Sequence, residues 1–239
     1  MPRLDLLDRS LTARSKDTGI PPLENGDFMD SAEFLRRYYA MPEGVRAELI
    51  DGIVYMASPV SAFHGRPNGL VNTVFCVYAA ATPGTDTNDG VTVRLGPKDV
   101  PEPDAVLTID AAAGGISALD ERGLITGPVE LAAEVAFSST SRDLNQKKAR
   151  YEKEGILEYL VVVVGAGEVR WFSRRRGAYV AMKPDRHGIL RSRIFPGLWL
   201  DGPALLAVDR KRVLSVLAKG LRSREHAAFV RKLRRRSSG

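Results

Sequence analysis

Two runs of the chain are apolar over the length of a β-strand. Residues 129–137 read "VELAAEVAF" and residues 158–164 read "EYLVVVV", with apolar side chains at both odd and even positions. Strands of this kind are buried on both faces of a sheet, so we predict that these two lie near its centre. Shorter runs of β-branched and apolar residues predict further strands at 90–95 and 103–109.

Two other segments have the pattern of a β-hairpin. Residues 45–58 place two strand-forming runs around Asp51-Gly52, and residues 168–183 place two more around Arg176-Gly177. Tight hairpin turns need positive φ angles at their central residues, and glycine adopts these without steric cost. Both segments are therefore predicted to be hairpins.

Apolar residues at helical spacing predict three helices, at 29–44, 62–82 and 140–155. Gly155 is a typical C-cap for the third of them. Strands and helices are thus interspersed along the chain, which predicts an α/β fold with a central mixed sheet flanked by helices.

The chain is predicted to contain one domain, at 29–207, between two extensions. Residues 1–28 are polar and interrupted by proline, which predicts a flexible lead-in. Residues 208–239 predict a basic, helical extension: from Asp209 onward there are eleven lysines and arginines against two acidic residues, while the rest of the chain has a net charge of −3. Such a segment favours attraction to a polyanion, with a solvated terminus as the alternative.

The extension also has apolar residues at helical spacing, which we expect to dock on the domain: Val213, Val216, Leu217 and Leu221. Gly220 is expected to interrupt this helix. Residues 231–239 are expected to be loose.

Composition excludes some classes of protein and site. A single cysteine, Cys76, cannot form an intrachain disulfide or a cysteine-rich zinc site. The first residues lack the apolar core of a signal peptide, and no apolar run approaches the ~20 residues that cross a bilayer. We therefore expect a cytoplasmic protein with no membrane partner.

Three acidic residues fall on predicted strands among apolar neighbours: Glu48, Asp104 and Glu134. A carboxylate in such a strand loses solvation and needs a cation, a metal ion or a proton. Two carboxylates at adjacent strand ends suit a hard divalent cation such as Mg²⁺. Lys147, on the next helix, could reach back over the Glu134 strand, and a metal ion with a lysine suits phosphodiester cleavage.

A resemblance sharpens this hypothesis. From Asp30 to Leu206 the chain resembles the Uma family of restriction endonucleases, within the PD-(D/E)XK nuclease superfamily. The segments that carry the resemblance are, in order, "RAELIDGIVYMASPV", "PEPDAVLTID", "GPVELAAEVAFSSTSRDLNQKKARYEKEGILEYLVVV" and "IFPGLWL". The stretch from Glu134 to Tyr159 is the most specific of them.

The resemblance implies a restriction-endonuclease-like central mixed β-sheet flanked by helices, and a divalent-metal-dependent endonuclease acting on DNA. Asp104 and Glu134 would bind Mg²⁺ or Mn²⁺, and Lys147 would be the catalytic lysine. Glu48 matches the family's acidic residue in the first hairpin, and His64 matches its histidine at the second helix. Cleavage of both strands of a duplex would favour a homodimer.

The chain departs from the family pattern at several positions. Ala136 stands two residues after Glu134, where the superfamily's lysine usually lies, so the lysine is displaced onto the helix. Phe137 replaces a small polar residue near the site, and Leu160 and Val163 replace a frequent Trp and Asp.

Each site residue also has a structural interpretation. Glu134 could form a buried ion pair with Lys147 or Lys148, and Asp104 could cap the turn after Pro103. Lys147 could instead be an exposed helix residue, because exposed lysines are common on helices.

Glu48 could equally pair with Arg46 or another neighbour. His64 is typical of a loop or helix cap, and Tyr151 of core packing with its hydroxyl near the site.

Two further functions remain open from the sequence. One is a nucleic-acid-binding or scaffold protein that keeps the nuclease fold without turnover. The other is a nuclease acting on RNA or branched DNA.

Overall fold

The computed structural model describes residues 19–137 and 139–237; the predicted lead-in up to residue 18, residue 138 and the last two residues lie outside these ranges. The helices are α1 (Ser31–Tyr38), α2 (Ala62–Ala81), α3 (Lys148–Glu154), α4 (Gly202–Leu206), α5 (Arg210–Leu221) and α6 (Arg224–Ser237). A π-helical segment at Arg142–Lys147 runs directly into α3, and a 3-10 turn lies at Ala111–Ala113. No helix in the described ranges combines the length and apolar character needed to cross a membrane.

The strands are β1 (Ala47–Ile50), β2 (Ile53–Met56), β3 (Thr85–Asp89), β4 (Val93–Arg94), β5 (Ala105–Ile109), β6 (Ala118–Leu119), β7 (Ile125–Thr126), β8 (Leu131–Ala136), β9 (Glu158–Val163), β10 (Glu168–Arg175), β11 (Ala178–Ala181), β12 (Ile189–Arg191) and β13 (Trp199–Asp201). Six of them form the central sheet, in the order β11-β10-β9-β8-β5-β3. β8 and β9 are parallel, and the other neighbouring pairs are antiparallel. The predicted mixed sheet flanked by helices is confirmed, with the two most apolar runs as its central strands.

Alternate residues of the central strands contribute to two separate cores. Leu160 and Val162 pack with α2, α4 and α5 on one face of the sheet. Val161 and Val163 pack with α3 and β4 on the other face. Because side chains alternate along a strand, Glu134 has the orientation of its neighbours at 132 and 136, which belong to the second core. Glu134 therefore faces α3.

Both predicted hairpins form with the expected turns. Asp51 and Gly52 have φ angles of 53° and 81°, and Arg176 and Gly177 have φ angles of 50° and 90°. Two consecutive positive φ angles are the requirement of a type I′ turn. The first hairpin projects Glu48 from β1 toward the segment that precedes α3.

The part of the predicted flexible lead-in that the structure describes is not a loose segment. Leu23 is buried in a third core with α1 and the first hairpin. The backbone nitrogen of Gly26 donates to Val54, and Phe28 forms an isolated bridge with Ile53. Residues 23–28 are thus held by the hairpin that carries Glu48.

The C-terminal segment docks on the domain, as its apolar positions predict. Val213 and Leu217 of α5 are fully buried in the core that contains α2. Gly220 is the second-last residue of α5, which ends at Leu221 before α6 begins at Arg224, so the helical segment is interrupted close to this glycine. A Cβ at Gly220 would lie 2.2 Å from the carbonyl oxygen of Gly197. The expectation of a loose end from residue 231 is wrong as far as residue 237, since Leu233 of α6 is buried.

Two regions of the sheet differ from the expectations. The strand predicted at 90–95 is reduced to β4, which lies outside the central sheet and pairs with β7. The edge strand β3, "TDTND", was not predicted because it is polar throughout. A polar edge strand is typical of sheets that avoid pairing with other chains.

Candidate active site

The register of two strands brings Asp104 and Glu134 together. Ala105 pairs with Ala133 in the antiparallel pair β5–β8. Asp104 precedes Ala105 and Glu134 follows Ala133, so the two acidic residues are opposite each other and on the same face of the sheet. Both line a cavity of about 390 Å³, which we call the acidic pocket.

Lys147 lies under this pocket and links two carboxylates. Its Nζ is 2.9 Å from Oε1 of Glu134 and 2.7 Å from Oε2 of Glu48. Asp143, one turn earlier, is 4.0 Å away. Lys148 points elsewhere, with its Nζ 4.8 Å from the centre of the Phe172 ring. Of the two lysines, Lys147 is the one that faces Glu134.

The π-helical segment differs from the regular helix expected at 140–155, and it carries this lysine. Asp143, Lys147 and Tyr151 are spaced by four residues and all point inward, where each is buried. The hydroxyl of Tyr151 donates to Oε1 of Glu134 at 2.9 Å. Wide helical turns of this kind often occur at functional sites.

Burial governs the protonation of Glu134 and Lys147. Burial raises the pKa of Glu134, and the nearby Asp104, Asp143 and Glu48 raise it further, against the opposing effect of Lys147. Burial alone would lower the pKa of Lys147, but the surrounding carboxylates outweigh it and the pKa is raised. Lys147 therefore stays protonated, and the carboxylate side chains around it outnumber it.

Asp104 is held by one backbone donor and one histidine. Its Oδ2 accepts from the backbone nitrogen of Val135 at 2.7 Å and lies 3.0 Å from Nε2 of His64. The hydrogen bond with Asp104 raises the pKa of His64. His64 lies in the first turn of α2 and lines the acidic pocket.

Glu48 pairs with Lys147 rather than with Arg46, which was one of its expected partners. Arg46 instead binds Glu102 at 2.9 Å. The second cation near Glu48 is Arg142, whose Nε is 3.6 Å from Oε1. The guanidinium of Arg142 stacks over the ring of Tyr55 at 4.7 Å.

Ser139, Arg142 and Asp143 are among the residues of the acidic pocket that were not predicted as site residues. The hydroxyl of Ser139 donates to Oδ2 of Asp143. Asp143 could have been found from its position one turn before Lys147 on the same helical face. Ser139 lies at the same interval before Asp143, whereas no comparable pattern marks Arg142.

Unsatisfied polar atoms are concentrated at this pocket. Among the described residues, four buried side-chain atoms lack a hydrogen-bond partner, in His64, Arg142, Asp143 and Trp171. The first three of these residues line the acidic pocket. Buried polar groups without partners are rare in folded proteins, and a bound ion or ligand can supply the partner that the protein does not.

The donor set of the pocket fits a hard divalent cation. Five carboxylates line it against three lysine or arginine side chains, a net charge of −2 when His64 is neutral. No set of three or more His, Cys, Asp or Glu side chains in the described ranges is already arranged as a metal centre. Mg²⁺ is commonly held by only one or two carboxylates and keeps several waters, so Asp104 and Glu134 suffice.

A second, more open cavity of about 700 Å³ lies beside the start of α1. It is lined by one acidic and one basic side chain, Asp30 and Arg94. Asp30 is already engaged as the N-cap of α1 through the backbone nitrogen of Glu33. The clustered ionisable groups are in the smaller, acidic pocket.

A protein-family model described as "Uma2: Putative restriction endonuclease" matches residues 31–208 of the chain. The chain belongs to the Uma2 family. The match spans all of the residues that form the acidic pocket, from Arg46 to Lys147. The family expected from the sequence is confirmed.

A solved structure supports the fold of this Uma2 family member. It is a crystal structure of "a putative nuclease belonging to DUF820" from Anabaena variabilis, with a TM-score of 0.54 and 14% sequence identity. The similarity covers 72% of this chain and 98% of that one. No curated protein matches the chain.

Proposed function

We propose that this Uma2 family member is a divalent-metal-dependent endonuclease that hydrolyses phosphodiester bonds in DNA. The observation that supports this most is the pairing of Asp104 with Glu134 across two strands, next to the buried Lys147. The unsatisfied polar atoms around the same pocket add to it.

Asp104 and Glu134 would hold Mg²⁺ or Mn²⁺. The hydrogen bonds described for them use Oδ2 of Asp104 and Oε1 of Glu134, so the second oxygen of each carboxylate is the one proposed for the cation. When bound, such an ion lowers the pKa of a bound water and stabilises negative charge on a phosphate.

The remaining residues would orient these ligands and the substrate. Lys147 fixes the positions of Glu134 and Glu48 and adds positive charge beneath the reacting phosphate. His64 orients Asp104. Arg46 and Arg142 line the pocket and would contact the phosphates on either side.

The test is cleavage of a panel of single-stranded, duplex and branched DNA and of RNA, with Mg²⁺, Mn²⁺ or EDTA. We expect metal-dependent cleavage by the wild type, and a loss of at least about 100-fold in Asp104→Asn and Glu134→Gln. The matched control is Glu130→Gln. Glu130 is a buried carboxylate beside β8, but it accepts from the backbone nitrogens of Ile109 and Ile116 and does not line the pocket.

Cleavage that persists in EDTA, or that survives Glu134→Gln, would contradict this assignment. Sedimentation of the active species would show whether cleavage of duplex DNA is accompanied by a homodimer.

The second candidate is a nucleic-acid-binding protein without turnover. It is favoured by the ion pairs of Lys147, which already compensate Glu134 and Glu48 without a metal ion. This function predicts binding of the same substrates with no cleavage under any metal condition.

A further inference from the structure

Two phenylalanine rings stack on each other at the mouth of the acidic pocket. The ring centres of Phe63 and Phe137 are 5.7 Å apart and the ring planes differ by 15°. Phe137 lines the pocket itself. Phe63 precedes His64, which contacts Asp104. The pair therefore joins the start of α2 to the end of β8 on the solvent side of the candidate site.

Both rings are unusually exposed for phenylalanine. The exposed fraction is 66% for Phe63 and 44% for Phe137, and the pocket-lining Val60 is exposed to 67%. Neither ring belongs to the three core clusters formed by the described residues. The fold does not explain this apolar rim on a polar pocket, and exposed apolar patches often mark binding sites.

Exposed aromatic rings elsewhere on the described surface have a cation above them. Lys98 lies over Phe28, and Arg122 lies over Tyr39. Phe63 and Phe137 instead stack on each other, and both side chains stay exposed to solvent.

We propose that Phe63 and Phe137 form a stacking platform for an unpaired nucleobase whose adjacent phosphodiester enters the acidic pocket. The proposal rests on the endonuclease function above and names its substrate class. A ring can stack only on a base with a free face, and bases inside an intact duplex have both faces covered. The preferred substrate is then a single strand or a single-stranded flap rather than continuous duplex.

The position of the platform favours a nucleotide over other apolar ligands. Phe137 follows Glu134 by three residues, a distance of about 10 Å along an extended strand, which is the scale of a nucleotide. Arg46 and Arg142 line the same pocket, so cations for a phosphate lie beside rings for a base. This combination of basic groups and aromatic platforms is typical of single-strand binding.

The test measures binding before cleavage, using the full chain in EDTA so that no metal-dependent reaction occurs. The probes are a single-stranded oligonucleotide of about ten nucleotides with one 2-aminopurine, and the same strand annealed to its complement. The variants are Phe63→Ala, Phe137→Ala and Phe63→Trp. Tyr39→Ala is the control, an exposed aromatic residue that does not line the pocket.

We expect the wild type to bind the single strand more tightly than the duplex, with a change in 2-aminopurine fluorescence on stacking. Each alanine variant should lose about 5- to 150-fold in affinity for the single strand, the range of one base stacked on an aromatic ring. Phe63→Trp should keep the affinity, and its tryptophan emission should be quenched by the strand. Duplex affinity should be nearly unchanged.

Equal affinity losses for single strand and duplex, no loss in either alanine variant, or the same loss in Tyr39→Ala would overturn the platform. Absence of oligonucleotide binding would overturn it as well. The thermal unfolding of each variant checks that exposed substitutions leave the fold intact.

Failure of the platform and failure of the endonuclease function are distinguishable. If Phe137→Ala has no effect while Glu134→Gln abolishes cleavage, the endonuclease function stands and the platform is wrong. If the stacking losses are seen but nothing is cleaved with any metal, the pocket binds nucleic acid without hydrolysing it.

Discussion

Lys147 and Lys148 are adjacent in sequence and occupy opposite environments. Adjacent residues of a helix differ in direction by about 100°, so the two neighbouring side chains cannot both face Glu134. Lys147 is the one that does, buried between Glu134 and Glu48. Lys148 lies over Phe172 of β10 instead. A step of one residue along the helix therefore separates a buried charge network from a cation–π contact.

Because of this difference, substitutions of Lys147 and Lys148 should have unequal effects on stability. Lys147→Met leaves two buried carboxylates without their cation and should lower the free energy of unfolding by about 3–5 kcal/mol. Lys148→Met removes one cation–π contact and should cost about 0.5–1 kcal/mol. Urea unfolding at neutral pH measures both. Glu134→Gln in the Lys147→Met background should recover part of the loss, and equal effects of the two lysine variants would contradict the charge network.

The buried Glu158, which lies away from the site, should make the stability of the protein depend on pH. It is fully buried at the start of β9 and accepts from Ser192 and from the backbone nitrogens of Arg193 and Ile194. Burial raises the pKa of Glu158 from 4.5 to about 7. The folded state thus holds a proton that the unfolded state releases, so this contribution to stability is present below about pH 4.5 and is lost as the pH rises toward 7.

Glu158→Gln should remove this contribution to the pH dependence. Relative to wild type, the variant should gain about 3 kcal/mol in free energy of unfolding between pH 4.5 and pH 7.5, from a pKa shift of that size. Urea unfolding across this range measures the difference. The control is Glu168→Gln, an exposed residue of the neighbouring strand β10. Parallel stability curves for wild type and Glu158→Gln would contradict the shifted pKa.

At the scale of the elements, the hydrophobic pattern predicts the strands that are buried in a core. β8 and β9 are apolar on both faces because each contacts two cores, and this is visible directly in the sequence. The hairpin turns are equally visible, because only a few residues tolerate consecutive positive φ angles.

Elements that depend on distant contacts were not predictable in this way. β3 is polar, and it forms a strand because its backbone pairs with β5. Gly220 lies at the end of α5, as its low helix propensity predicts, but the sequence does not show that Gly197 approaches too closely there for any side chain. Neither partner is near in sequence.

The residues of the candidate site also divide into those that the sequence predicts and those that it does not. Asp104 and Glu134 stand out because carboxylates are unexpected in apolar strands, and a resemblance to a family assigns them a role. Arg142 lies on the π-helical segment but outside the four-residue spacing that Asp143, Lys147 and Tyr151 share. Its place in the pocket is visible only in the tertiary structure.

At the scale of the whole molecule, α2 separates the acidic pocket from the basic C-terminal helix. His64, in the first turn of α2, contacts Asp104. At the other end of this 20-residue helix, Thr82 hydrogen-bonds His226 of α6 at 2.9 Å. A helix of that length spans about 30 Å, so α6 lies far from the site. Its charges can attract nucleic acid but cannot contact the reacting phosphate.

We therefore predict that α6 adds affinity for duplex DNA without affecting chemistry. Arg231 and Arg235 are exposed on α6. Changing both to glutamate should weaken duplex binding and reduce the slope of log affinity against log salt by about 2, because each phosphate contact contributes about 0.9. Cleavage at saturating DNA should be unchanged. Titrations of duplex DNA at several salt concentrations measure the slope.

The matched control changes the same net charge elsewhere. Arg175→Glu with Lys183→Glu alters two exposed residues at the other edge of the molecule, beside β10 and β11. Substitutions are preferable to deletion of residues 222–239, because deletion would also remove the buried Leu233 and His226 and expose the core. Equal weakening by both double variants would mean that net charge alone attracts DNA. An unchanged slope in the α6 variant would make the helix a packing element whose arginines only solubilise the surface.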